Sequence, residues 1–115
     1  MTHTNNVQLN LLSNHQIYKE ILINENSVLI DAMLFNGIES DSLIEAPQEP
    51  LIGQKFIIPD NAVNDWEDKK NNIAVKLEQR WVFIEPRNGM LFWIIDKEKL
   101  VVYTPNGWQE IKVAV

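Results

Sequence analysis

The sequence predicts an α+β domain, mostly β, in which an N-terminal helix packs on an antiparallel β-meander of short hairpins. Three observations lead there. Residues 24–36 form an apolar stretch of helical length between asparagine and glycine. Pro47, Pro50, Gly53 and Pro59 then break any further long helix. The last third alternates short apolar runs with turn residues at regular intervals. At 115 residues the chain has the size of one domain, enough for a modest core without staples.

Residues 1–13 are polar and Asn-rich, and the alternation Val7-x-Leu9-x-Leu11 predicts a short extended segment that pairs with another element or subunit. Residues 14–113 make up the single domain. Ser13 to Ile23 forms a shorter helical turn leading into the main helix over 24–36. There Asn24 or Asn26 caps the start, Glu25 favours the positive helix end, and Gly37 supplies the stop. Val28, Leu29, Ile30, Ala32, Met33, Leu34 and Phe35 leave only Asp31 and Asn36 polar, so this helix needs cover on more than one side. Asp31 is either a register-setting contact in an oligomer, or a narrow solvent-facing stripe or a carboxylate bonded to a nearby backbone N–H.

Past Gly37 the pattern is that of strands. Gln54–Ile58 is a short strand stopped by Pro59-Asp60, and residues 61–72 are a polar loop carrying Trp66. Strands follow at Ile73–Leu77, Trp81–Glu85, Leu91–Ile95, Leu100–Thr104 and Trp108–Val113. Their connections are Glu78-Gln79-Arg80, Pro86-Arg87-Asn88-Gly89, Asp96-Lys97-Glu98-Lys99 and Asn106-Gly107, the last read as a type I′ turn. Alternation within them is imperfect. Trp81 and Phe83 are backed by Val82 and Ile84, and Leu91, Trp93 and Ile95 by Phe92 and Ile94. A small meander normally keeps one face polar. Two apolar faces therefore point to subunit contacts, with Ile84 and Ile94 on the outer side.

Composition removes several kinds of chemistry. The formal charge is −6, from 16 acidic and 10 basic side chains, which opposes docking on phosphate backbones. Lys69-Lys70 follows Glu67-Asp68 and is locally neutralised. There is no cysteine, hence no disulfide and no thiolate metal site. The N-terminus has no basic region followed by an apolar one, so no signal peptide is expected. The most apolar stretch, Val28 to Phe35, is far too short to span a bilayer.

No catalytic constellation is legible. His3 and His15 lack a patterned nucleophile, and neither a Gly-x-Ser-x-Gly elbow nor a glycine-rich phosphate loop occurs. Glu45, Glu49, Asp60, Asp65, Glu67 and Asp68 fall in turns or loops without calcium-loop spacing. The residue types that stand out are the tryptophans at 66, 81, 93 and 108. An indole face stacks on the C–H face of a sugar while neighbouring amides and carboxylates bind its hydroxyls. Trp66 and Trp108, beside loops, with Asn88, Asp96 and Asn106 in turns, are the candidate ligand-binding set. The bland reading makes the same tryptophans strand and hairpin core.

Quoted in order, Gln16, Lys19-Glu20, Asn24-Glu25, Asp31-Ala32, Gly53, Phe56-Ile57-Ile58-Pro59, Trp66, Ile73-Ala74, Trp81, Phe83, Pro86, Gly89, Trp93, Asp96, Leu100, Tyr103, Gly107 and Trp108 form a pattern over residues 14–111. It resembles the uncharacterised domain (domain of unknown function 2793) of phage, prophage and gene-transfer-agent structural proteins, which often stands beside tail-fibre or spike segments. The chain departs from that pattern at Lys76, Gln79 and Met90, where the family tends to have tryptophan, glycine and tryptophan. It also lacks the usual glycines around Trp66. The resemblance implies a virion-associated role with contact to cell-surface carbohydrate, and no known activity.

The expectation is a non-enzymatic particle component of tail-fibre or spike type, serving assembly and glycan contact, without cofactor or metal. It would be a homo-oligomer, by expectation a trimer, partnered by other phage-particle proteins and cell-surface polysaccharide. It would touch neither nucleic acid nor the membrane interior, and would be made in the cytoplasm before joining the virion. A pure oligomerisation or adaptor module without ligand is the rival, and a polysaccharide-degrading enzyme a distant third.

Overall fold

The computed structural model describes the backbone of residues 19–112 and the side chains of residues 25–112. The expected N-terminal extended segment and both histidines lie outside the described residues. The fold is mostly β, with one principal helix, as the sequence predicts, but its sheet is not a single antiparallel meander. Helix α1 spans Lys19–Leu34. The strands are β1 (Gly37–Ile38), β2 (Lys55–Ile57), β3 (Ile73–Lys76), β4 (Trp81–Ile84), β5 (Leu91–Ile94), β6 (Lys99–Thr104) and β7 (Gly107–Ile111), with a short 3-10 helix at Asn64–Lys69.

Two sheets form, one in the order β1-β5-β6-β7 and one in the order β2-β3-β4. All ladders are antiparallel except β1 with β5, which runs parallel with Gly37 opposite Trp93 and Ile38 opposite Ile94. The break falls between β4 and β5. Pro86 there has no N–H to give to a ladder and restricts the residue before it, so these two strands do not close into a hairpin. The chain from Gly37 to Ser40 instead ties the sheets together. Its first two residues pair with β5, while Glu39 donates to the Lys55 carbonyl at 2.8 Å and Ile57 donates to the Ser40 carbonyl at 3.1 Å.

The principal core lies between the two sheets. Residues opposite one another in a ladder share a face, so Ile57, Ile73 and Ile84 form one inward row of the smaller sheet. Phe92 and Val101 form the facing row of the larger one. Leu29 and Ala32 of α1 enter the same cluster, with Val28 and Met33 half-buried beside them. The reverse face of the smaller sheet carries Phe56, Ala74 and Phe83 and is covered by Ala62 and Trp66. The backbone around Trp66 is thus a packed helical turn, not an open polar loop.

This arrangement corrects the reading of the two-faced strands. The second apolar face of β2-β3-β4 is covered from within the chain. Ile84 and Ile94, expected on the outer side, are both fully buried in the principal core. Among the described residues, the larger sheet alone keeps an uncovered apolar face, formed by Leu91 and Trp93 of β5 with Ile95 just beyond.

The helix boundaries also differ from expectation. Asn24 and Asn26 lie inside α1, so neither caps it; helix propensity is a weak prior that tertiary context overrides. Glu25 is held by Arg80 in the β3–β4 turn, with Nε and Nη2 each 3.0 Å from a carboxylate oxygen. Gly37 does not stop the helix through a left-handed conformation. It is a strand residue whose missing side chain makes room for the Phe35 ring and Ile95 Cδ1, both of which a Cβ at this position would meet. The helix needs cover on one side only, since Ile30, Asp31, Leu34 and Phe35 are exposed.

The last hairpin lies where Asn106-Gly107 predicts it, with a different turn. Thr104 is paired with Gly107, so Pro105 and Asn106 are the loop residues. Only Gly107, at φ 99°, is left-handed. Proline fixes φ near −65°, which suits the second position of a type I turn and forbids type I′. Thr104 Oγ1 secures the turn by donating to the Gly107 carbonyl at 3.0 Å.

Candidate functional site

The predicted ligand residues separate into three groups. Trp66 has no solvent exposure. Its ring packs edge-on against Trp81 at 5.6 Å and tilted against Phe56 at 6.0 Å, so it presents no face to a ligand and belongs to the core. Asn88 and Asp96 are exposed in the turns at opposite ends of β5, which keeps them from acting on one small molecule. Asn106 and Trp108 do come together, on the wall of a cleft of about 440 Å³.

That cleft opens between the last hairpin and the end of β2. One wall is Asn106, Gly107, Trp108 and Gln109, and the other is Ile57, Ile58, Pro59, Asp60 and Asn71, with Asp41 also lining it. Trp108 is fixed by three contacts. Its Nε1–H donates to the Asn71 carbonyl at 2.9 Å, its ring meets Tyr103 edge-on at 5.1 Å, and it lies tilted at 5.9 Å from core residue Phe92. The indole is therefore preorganised and offers the cleft ring carbon, its N–H being already engaged. Asn71 bends the wall with φ 68°, a left-handed position that asparagine tolerates better than most residues.

The charge of the cleft comes from its two aspartates. Asp41 accepts from Lys97 at 2.6 Å and pairs with Lys99 at 3.3 Å. Burial pushes its carboxyl pKa up, but the two lysines outweigh burial and hold it below the usual value. Asp60 is exposed at the rim. With Lys97 and Lys99 turned to Asp41, the lining contains no basic side chain among the described residues. Asp41, Asn71 and Gln109 are not among the residues that stand out in the sequence, and Asp60 stands out there only as one of several loop carboxylates, outside the candidate ligand-binding set. Asn71 and Gln109 carry no local motif, and only the fold sets them beside Trp108.

A second surface of interest surrounds Phe35. This ring lies against Gly37, beside Ile95, and lines a shallow groove with Leu51, Ile52, Asp31 and Glu39. Phe35 is 61% exposed and Trp93, whose Cα partner is Gly37, is 43% exposed. The exposed Phe35 ring after α1 thus adjoins the exposed apolar residues of β5 through Gly37 and Ile95, and clustered exposed apolar residues of this kind mark interaction surfaces.

Among the described residues no three His, Cys, Asp or Glu side chains converge as a metal ion would need, and no helix is long and apolar enough to cross a membrane. No curated protein matches the chain. The family described as "Protein of unknown function (DUF2793)" matches residues 23–109, which is 87 of the 115 residues, and the chain belongs to that family.

Proposed function

We propose that the chain is a non-enzymatic component of a phage or prophage particle, a tail-fibre or spike-type module that assembles with further copies of itself. The observation that carries the reading is the uncovered apolar face of the larger sheet. Leu91, Trp93 and Ile95 stand exposed there, next to Phe35, while the equivalent face of the smaller sheet is covered by Trp66 and Ala62. Burying such a face between copies removes apolar area from water at about 25 cal/mol per Å². A fibre or spike requires self-association of that kind, with a trimer as the expected state and other particle proteins as neighbours. Contact with cell-surface polysaccharide is the second part of the reading and needs a site apart from the assembly face. A pure oligomerisation module would use the same face and have no ligand.

The test is solution mass by light scattering after size exclusion, on the wild type and on a Leu91→Lys/Ile95→Lys double variant. A stable oligomer that becomes a folded monomer in the double variant supports assembly through this face. A wild-type monomer, or an oligomer indifferent to the double variant, overturns it.

A further inference from the structure

We infer that the cleft between the β6–β7 hairpin and the end of β2 binds a neutral hexopyranoside, taken as one or two sugar rings of a longer glycan. The inference deepens the polysaccharide part of the proposed function and rests on it only for the source of the sugar. The site itself is argued from the cleft. Its volume, about 440 Å³, is within the roughly 300–1,000 Å³ of small-ligand sites.

Its lining has the two kinds of surface that a pyranose needs. A sugar ring has an apolar C–H face and an equatorial belt of hydroxyls, each both donor and acceptor. Trp108 supplies apolar surface in a fixed orientation, because Asn71, Tyr103 and Phe92 hold its ring and its only donor is spent on Asn71. The side-chain amides of Asn71, Asn106 and Gln109 each combine donors with an acceptor, and the Asp60 carboxylate accepts from two hydroxyls. All four line the same cleft as the indole.

Charge narrows the ligand class. Among the described residues the lining carries two aspartates and no lysine or arginine, and Lys97 and Lys99 are paired with Asp41. An anionic sugar would meet the exposed Asp60 carboxylate, whereas Lys97 and Lys99 are already engaged with Asp41, and like charges repel most where water is partly excluded. The cleft therefore selects neutral sugars over sialylated, uronic or phosphorylated ones. Sugars of the neutral class bind weakly one ring at a time, and a particle carrying several copies multiplies that affinity by linking the sites.

Titration of the chain with cellobiose, maltose and lactose, with sialyllactose as the anionic control, tests the site. Amide-detected NMR follows the Trp108 indole N–H and the side-chain amides of Asn71, Asn106 and Gln109. At least one neutral disaccharide is expected to shift these signals saturably at millimolar concentration, and sialyllactose to bind more weakly. The double variant Asn106→Ala/Gln109→Ala is expected to weaken binding about tenfold or more with its unfolding midpoint unchanged. Absence of a saturable shift with all three neutral sugars, shifts centred elsewhere, or sialyllactose binding as well as lactose would each overturn the assignment. Solution mass measured on the same samples separates the two proposals. A monomer that binds the sugar leaves the cleft standing and removes assembly, whereas an oligomer without sugar response does the reverse.

Discussion

The Lys55 ammonium donates to the main-chain carbonyl of Phe35, the residue that follows the last turn of α1. Lys55 is only 1% exposed. Its Nζ lies 5.2 Å from the Phe92 ring centroid and 5.8 Å from that of Phe35. Among the described residues no carboxylate pairs with it, so helix carbonyl and ring faces replace water around the charge. A cation at a helix C-terminus is favoured by the macrodipole and by the unpaired carbonyls there. This contact, not a left-handed glycine, closes the helix.

Burial pushes the Lys55 pKa down from 10.5 to about 8. A base with a depressed folded-state pKa is an expense to the folded chain while charged. Between pH 8 and 10.5 the unfolded chain holds more protons than the folded one, so stability rises with pH across that window. The expected gain from this residue is on the order of 1–3 kcal/mol. Urea unfolding at pH 7, 8.5 and 9.5 measures it. Lys55→Met should remove the rise at this position, and a variant with the wild-type slope would show that the charge is not buried.

Gly37→Ala places a methyl group against the Phe35 ring and Ile95 Cδ1. Because φ at Gly37 is not left-handed, crowding rather than backbone strain sets the outcome, at about 1–3 kcal/mol by analogy with overpacked sites. Phe35→Ala removes the obstructing ring. The double variant should lose less than the sum of the two single losses, by about 1 kcal/mol or more. Strict additivity in denaturant titrations would disprove the contact.

Most strand positions were legible because turn chemistry is local. Pro59, Gly89 and Asn106-Gly107 mark chain reversals, and six of the seven strands lie within a residue or two of the predicted runs. The exception, β1, has two residues and exists only because β5 pairs with it. Division into two sheets was not legible, since β4 and β5 each look like one arm of a hairpin and the pairing of β5 with a strand more than fifty residues earlier leaves no local trace. The same limit applies to the cleft. Asn106 and Trp108 stood out as residues, whereas Asn71 and Asp60 become neighbours only through the hydrogen bond from Trp108 and the path of the chain after β2. Trp66 misled for the opposite reason. Its polar neighbours in sequence, Asp65, Glu67 and Asp68, face solvent while its own side chain turns inward.

Removing Trp66 should therefore act on stability and not on ligand contact. Its ring fills the second cluster between Phe56 and Trp81, so Trp66→Ala is expected to lose about 3–5 kcal/mol. Trp66→Phe keeps an aromatic ring between Phe56 and Trp81 and removes an indole N–H that meets no acceptor among the described residues, and should lose less than about 1.5 kcal/mol. Thermal unfolding of the two variants checks the ordering. Equal losses would mean that the N–H, not the ring volume, matters at this position.

Neighbouring residues of β5 should respond in opposite ways to the same charge. Ile94 is fully buried in the principal core opposite Ile38, and Trp93 points out of the sheet opposite Gly37. A lysine at position 94 would place an ammonium in an apolar interior with no partner, at more than about 4 kcal/mol, and the chain should fail to unfold cooperatively. A lysine at position 93 reaches solvent directly, and its loss should stay within about 1.5 kcal/mol when both proteins are compared as monomers at matched low concentration, since association would otherwise add to apparent stability. Circular dichroism melts of Trp93→Lys and Ile94→Lys decide it. If Trp93→Lys unfolds the chain as Ile94→Lys does, the outer face of β5 is core after all, and the assembly reading loses the surface on which it stands.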